Sequence, residues 1–580
     1  MKLICFGRFI EEVVVYSFTT TSFSCETKGG ENTMVQFKHY VKKIGVCMLA
    51  TSLLFTNGCG KAEQKDQQNV DNQKQDGYAY EQELNIIDDN NRTYYEVFVY
   101  SFYDSDGDGI GDLKGVAEKL DYIQDMGYNG IWLMPLMPSP TYHKYDTTDY
   151  MAIDPDYGTM EDFDALLKEC HERGINVIID FMMNHTSKQH EWFQEAYGYL
   201  NTLKKGQKPS NKECPYLDYY NFVKEKDVTG SAYYPIGSSG WYYEGSFWDG
   251  MPDLNLENAK VKEELENAAK FWLDKGVDGF RLDGVLYFTG NDKKNIAILK
   301  WFNDYVKAQK EDAYLVSEVW TSYSIASEYL KSGVDSTFDF SFGQSDGVIV
   351  KTVRQSMSQD VGAKFANSMV GVQETTKKVS KDATVAEFLT NHDTGRMANI
   401  LAKEEKIKIA YAMEIFMTGN VFVYYGEDIA LSGAGKDENF RAPMYWSNTD
   451  DTGMCDGPAD MDSIENKFPS LEEQQQDENS VNQFIKRCIR IRNENPEIAR
   501  GEVAVIPEVT DEAICAITKT YEDSQIEMLY NLSTEPKTVT LSKDTYGYEG
   551  IRGYVSADGT EVTLEGDTVT LPAYSVVILK

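Results

Sequence analysis

Three short segments hold the residues best suited to chemistry: GFRLDG (Gly279 to Gly284), YLVSEVW (Tyr314 to Trp320) and FLTNHD (Phe388 to Asp393). Each reads as a short apolar strand that runs into a carboxylate, with Asp283, Glu318 and Asp393 at or near the strand ends. In a barrel of parallel strands such ends meet at one mouth, where barrels keep their chemistry. Carboxylates gathered there suit acid-assisted cleavage of a glycosidic bond. Arg281 stands two residues before Asp283, and residues two apart on a strand face the same side, so its positive charge can keep Asp283 ionised.

The elements that must position these residues are legible as apolar runs: 94–102, 130–136, 176–182, 279–284, 314–320, 336–340, 387–393 and 421–427. Runs apolar on both faces indicate a parallel sheet covered by helices. One such helix is clear over 257–275, where Val261, Leu265, Ala268, Ala269 and Trp272 recur at helical spacing before Gly276. Eight runs with helices between them predict an α/β fold, a (β/α)8 TIM barrel, over 81–186 and 256–500. The segment between, 187–255, is too long for a plain connection and is rich in Tyr, Gly, Ser and Trp, so it reads as an insertion domain after the third strand, set over the mouth. Over 501–580 the helical period gives way to alternating Val, Thr and Ile with Gly and Asp punctuation, the pattern of an antiparallel β-sandwich.

The 93 acidic against 56 basic residues give a formal charge of −37, which repels nucleic acid and anionic lipid and leaves neutral partners open. The 38 Tyr and 8 Trp fit a protein that stacks sugar rings, although ordinary packing accounts for most of them. Nine cysteines without a CxxC pair encode neither a disulfide framework nor a zinc site, and the five beyond the N-terminal segment read as buried free thiols. From Met34, three lysines precede the apolar stretch 44–55, too short to span a bilayer, and Gly58-Cys59-Gly60 follows. This resembles a bacterial lipoprotein signal over 34–58. Cys59 is then the lipidated residue, 59–80 a disordered tether, and 1–33 a stretch upstream of the true start. The resulting expectation is an exported chain, lipid-anchored to the outer face of a bacterial cell membrane, or secreted if not lipidated.

Several motifs in order carry a wider resemblance: HKYD (143–146), DFMMNH (180–185), MPDLN (251–255), GFRLD, VSEVW, NHD and DENFR (437–441). Residues 94–580 resemble the α-amylase family of glycoside hydrolases, in the group between oligo-1,6-glucosidases and neopullulanases. The resemblance implies Asp283 as nucleophile, Glu318 as general acid and base, and Asp393 as stabiliser of the distorted sugar. It implies Tyr145 stacking on the sugar ring with His143 and Asp146 nearby, His185 and His392 contacting sugar hydroxyls, and Asp437 with Arg441 gripping the non-reducing side. The loop Asp104-Ser-Asp-Gly-Asp108-Gly-Ile110-Gly-Asp112 alternates hard oxygen ligands with Gly, as calcium requires. It resembles the first-strand calcium loop of some members, with Asp104, Asp106, Asp108, Asp112 and the Ile110 carbonyl as ligands. A second calcium near Asn184 and Asp253 is a further implication.

The implied activity is retaining endo-hydrolysis of α-1,4-glucosidic bonds in starch, glycogen or maltooligosaccharides. An α-glucosidase, a neopullulanase-like hydrolase or a 4-α-glucanotransferase stands as an alternative on the same scaffold, and a non-catalytic glucan-binding lipoprotein as one of another class. Where many members place Lys-His after the nucleophile, this chain has Leu286 and Tyr287, and the small Gly284 favours α-1,4 over α-1,6 chemistry.

Overall fold

The computed structural model describes residues 84–204, 206–354 and 360–580. The readings for 1–33, for the signal and for Cys59 lie outside them. The eight apolar runs become eight parallel strands: β1 (Thr93–Val97), β2 (Gly130–Leu133), β3 (Asn176–Phe181), β4 (Gly279–Leu282), β5 (Tyr314–Ser317), β6 (Ser336–Phe338), β7 (Thr384–Phe388) and β8 (Asn420–Tyr424). They close into a barrel in sequence order, with β8 paired to β1. Most runs outlast their strands, because the chain stays apolar while it leaves the ladder. The seventh was set too late: β7 starts at Thr384 and ends at Phe388, so Asp393 lies on the loop beyond the strand and not at its tip.

Alternation along the strands decides what fills the barrel. Tyr94, Trp132, Ile178, Tyr314, Val316, Phe338, Phe388 and Phe422 form an interior apolar cluster, with the Tyr94 ring stacked 4.7 Å from Phe422 and 5.6 Å from Tyr314. Two residues further along, toward the C-terminal ends, the same inward rows change from apolar to charged: Tyr94 gives way to Glu96, Ile178 to Asp180 and Val316 to Glu318. Registers then align them. Asp180 pairs with Arg281, and Leu282 pairs with Ser317, so Asp283 and Glu318 each follow one member of a matched pair on adjacent strands.

The expected helix forms at Ala259–Lys275, with the Asn258 side chain accepting from Lys260 N and Gly276 closing it in the left-handed region at φ 108°. The insertion holds a helix (Glu191–Thr202) and a three-stranded antiparallel sheet of Phe222–Lys224, Trp241–Glu244 and Tyr233–Pro235. It returns beside its own start, where His185 bridges Asp253 and Leu254 N donates to Asn184 O at 2.8 Å. The C-terminal region packs a five-stranded sheet (Glu502–Val505, Ile514–Tyr521, Ser524–Asn531, Ser575–Leu579, Ile551–Ser556) against a three-stranded one (Lys537–Thr540, Thr568–Leu571, Thr563–Glu565). Their shared core includes Ile514, Leu529, Val569 and Val577. The five described cysteines are all free and buried. Among the described residues no helix is long and apolar enough to cross a membrane.

Gly279 is fixed by the fold. A Cβ there would stand 1.9 Å from the Tyr314 carbonyl oxygen, which cannot yield because β4 and β5 pair at that point. Gly279→Ala is expected to lower stability by about 3 kcal/mol, read as a lower midpoint in chemical denaturation. An unchanged midpoint would show that β4 can shift without cost.

Candidate active site

The site is organised by one guanidinium. Arg281 is buried, and its Nη1 donates to Asp283 Oδ1 at 2.6 Å and to Asp180 Oδ1 at 2.8 Å, while Nη2 lies 3.0 Å from Glu318 Oε1. The other Glu318 oxygen accepts from Gly284 N at 2.9 Å. Asp180 is held further by Trp132 Nε1 and by the Tyr145 hydroxyl, each at 3.1 Å. One positive charge faces three carboxyls, so protons must make up part of the balance. Burial pushes the Glu318 carboxyl up to about 7; the charges of Asp283 and Asp393 add to this, while Arg281 and the Gly284 N–H oppose it. Burial likewise raises Asp180 to about 6, with Arg281 opposing.

A second chain of charges stabilises the opposite state at Asp393. Its Oδ2 lies 3.1 Å from His392 Nε2 and its Oδ1 accepts from Arg441 Nη2 at 3.0 Å. Burial alone would raise Asp393, but His392, Arg441 and Arg281 hold it well below the usual carboxylate range. Burial would lower His392, yet Asp393 and Glu96, whose Oε1 lies 2.5 Å from Nδ1, raise it to about 10, so the ring is a cation. Arg441 also pairs with Asp437, four residues earlier across the short helix Asp437–Phe440, and Asp437 accepts from the Tyr142 hydroxyl at 2.7 Å.

The aromatic wall follows. Tyr145 stacks on His392 with ring centroids 5.5 Å apart, and its hydroxyl lies 2.8 Å from His392 Nε2. His185 reaches the Tyr145 carbonyl through Nε2 at 3.2 Å, and its ring meets Phe247 edge-on at 5.1 Å. His143 accepts from Tyr145 N at 3.2 Å; burial and Arg441 lower its pKa to about 4, so it is neutral. Asp146 is buried, with Oδ1 accepting from the Ser139 and Thr141 hydroxyls and Oδ2 from Ser187 at 3.3 Å, so it ties three stretches of loop together.

A carboxyl held near neutrality beside one held ionised, at the mouth of a closed parallel barrel, is the equipment of glycosidic acid catalysis. The sequence matches the model of the α-amylase catalytic domain over residues 96–501. The chain belongs to the α-amylase family. It is 36% identical to alpha-amylase 3 of Dictyoglomus thermophilum, over 84% of this chain and 93% of that one. It is 28% identical to an oligo-1,6-glucosidase of Parageobacillus thermoglucosidasius, over 77% and 91%. The structure superposes on Eubacterium rectale Amy13B with a TM-score of 0.83 at 45% identity, covering 86% of this chain and 97% of that chain. The chain is therefore a glycoside hydrolase.

In this α-amylase-family scaffold the acidic loop after β1 holds the residues read as cation ligands. Asp104, Asp106 and Asp108 converge, with one oxygen from each within 4.8 Å of the others. Asp104 also accepts from the N–H groups of Asp106, Gly107 and Gly109, which folds the loop around it. Asp112 is also the N-cap of the helix Leu113–Glu118, accepting from Gly115 N and Ser105 N at 2.8 Å each. Ile110 donates its N–H to Asp108 at 2.8 Å. Asp456 lies against the loop, its Oδ2 2.6 Å from where a Gly109 side chain would begin. The three converging carboxylates fit a hard cation. Asn184 Nδ2 donates to Asp253 Oδ1 at 3.1 Å, and Ser246 donates to the other Asp253 oxygen through N–H and hydroxyl. Burial raises Asp253 to about 7.

Sequence reasoning gave no role to Glu96, Asp180 and Trp132. A lone Glu in the apolar run of β1, and a lone Asp inside the apolar run of β3, were the available signals: a charge on a doubly buried strand needs a partner inside.

Proposed function

We propose that this chain is a retaining, endo-acting α-amylase that cleaves α-1,4 bonds in starch, glycogen or maltooligosaccharides. Asp283 attacks the anomeric carbon while Glu318 gives its proton to the leaving oxygen, and a glycosyl-enzyme ester forms. Glu318, now a carboxylate, takes a proton from water, and that water opens the ester with the starting configuration restored. Asp393, kept ionised by His392 and Arg441, stabilises the positive charge that develops on the sugar ring. Tyr145 and His185 shape the sugar's seat, and Asp437 with Arg441 bounds its non-reducing side.

The single observation that carries the reading is the sharing of Arg281 between Asp283 and Glu318. One guanidinium clamping both carboxyls supports the closer spacing used by retaining enzymes, roughly 5–5.5 Å. The α-1,4 preference draws on Gly284. At φ 58° a side chain is strained, and a Cβ would meet the Phe247 ring at 2.9 Å, so no bulky residue fits beside the nucleophile. Against that stands the likeness to an oligo-1,6-glucosidase, which keeps an α-glucosidase or glucanotransferase as the second reading.

Glu318 must be protonated to act, and it loses its proton as pH rises through about 7. The rate on soluble starch should fall on the alkaline side with an apparent pKa near that value. Glu318→Gln should lower kcat by about a thousandfold and abolish that limb. Retained activity in the variant removes Glu318 from the role. Chromatography of products from starch, pullulan and isomaltose, with anomers followed by NMR, separates the two readings: glucose alone, or cleavage of isomaltose, favours the second.

We propose a structural calcium on Asp104, Asp106 and Asp108, with Asp112 and the Ile110 carbonyl completing its oxygens, where it would neutralise the carboxylates' mutual repulsion and brace the loop between β1 and the helix Leu113–Glu118. EDTA should lower the thermal midpoint by about 5 °C, restored by calcium and blunted in Asp106→Asn. A midpoint indifferent to EDTA sinks the assignment.

We also propose export with lipidation at Cys59. Cys59→Ser should move the enzyme from the membrane fraction to the medium, and unchanged membrane retention would remove the anchor.

A further inference from the structure

Glu96 is a buried carboxylate in the barrel wall that takes no part in making or breaking bonds. It stands on β1, one inward step beyond Tyr94, and strand register sets it between Trp132 of β2 and Tyr424 of β8. Its Oε1 lies 2.5 Å from His392 Nδ1, while its Oε2 meets no hydrogen-bond partner. The carboxylate is therefore spent on one ring. That ring is itself closed in: Tyr145 stacks on it, and Trp132 meets it edge-on with centroids 5.6 Å apart.

The other ring nitrogen faces a second carboxylate. His392 Nε2 lies 3.1 Å from Asp393 Oδ2 and 2.8 Å from the Tyr145 hydroxyl. A neutral imidazole has one N–H and one lone pair, so it can satisfy one carboxylate and must repel the other. Carboxylates at both nitrogens demand the doubly protonated ring. Without Glu96 a single N–H would do, and nothing would keep it turned toward Asp393. Charge matters as well. The sugar becomes positive on its way to the transition state, and an uncompensated imidazolium beside it would oppose that change. Glu96, behind the ring, cancels the charge and leaves the Nε2–H donor in place.

Neighbouring groups do not substitute for it. Asp180 from β3, Tyr424 from β8 and Tyr145 from the loop after β2 also face the ring, and Arg281, Arg441 and His143 lie around it and Asp393. Arg281 is paired with Asp180, and Arg441 with Asp393 and Asp437.

Resting on the retaining-hydrolase reading, we infer that Glu96 is a positioning residue for the reaction: it holds His392 as a donor at both nitrogens, fixes the Asp393 carboxylate against the reacting sugar, and screens the ring's charge from the cation that forms there. Its effect passes entirely through His392.

Glu96→Gln keeps the shape and removes the charge. In the unaltered enzyme His392 loses its proton as pH rises through about 10. Ring nitrogen NMR shifts of His392 read that state directly, with no substrate present. Their titration midpoint should fall by about two units in Glu96→Gln, and Glu96→Asp, which keeps the charge, should restore most of the shift. Turnover of α-maltotriosyl fluoride is the second readout, because fluoride departs without a proton from Glu318. Between about pH 6 and about pH 9, kcat/KM for Glu96→Gln should drop about tenfold relative to the unaltered enzyme. A His392 that keeps the unaltered midpoint in Glu96→Gln, or a loss of rate equal at every pH, overturns the role. Failure of the unaltered enzyme to cleave either the fluoride or starch is instead the failure of the hydrolase reading, and it leaves the NMR result standing.

Discussion

The site depends on a single buried cation. Among the described residues Arg281 is the one positive charge in direct contact with all of Asp180, Asp283 and Glu318, and the strand register sets it beside Asp180. Burying three carboxyls together would otherwise be prohibitive. The guanidinium's planar fork lets two nitrogens serve three acceptors, which a lysine ammonium could not do with the same fixed directions. The barrel interior therefore has two zones: an aromatic floor that supplies stability, and a charged upper layer in which each group is kept in place by its counter-charge.

Sign alternation extends this outward. From Glu96 through His392, Asp393 and Arg441 to Asp437, negative and positive groups succeed one another from the barrel wall to the rim. Each link favours the ionised form of the next, so Asp393 is locked charged while Glu318, reached by fewer cations, retains a proton. Two carboxyls of the same mouth thus take opposite states through environment alone.

The strands, the long excursion after the third of them and the meeting of Asp283 with Glu318 were legible because they rest on local pattern: runs apolar on both faces, a gap too long for a turn, carboxylates where strands end. What residue type does not reveal is which partners a carboxylate meets. Asp112 precedes a helix and ends an acidic loop, and the cap it makes with the Gly115 N–H appears only in the folded chain. Ser139, Thr141 and Ser187 converge on Asp146, and that convergence is a property of the folded loops. Glu96 and Asp180 showed themselves only as charges in the wrong place. Asp456 gave no sign of its place beside Gly109, since 346 residues lie between them.

The insertion leaves the barrel at His185 and rejoins it at Asp253, two residues held side by side. Its endpoints are thus joined regardless of how much chain lies between, and lengthening or replacing that chain need not move β3 or β4. Yet it is this segment that contributes Phe247 to the wall over Gly284. Evolution could therefore rewrite which glucan linkage is welcomed by exchanging one detachable module, leaving the proton chemistry of the barrel untouched.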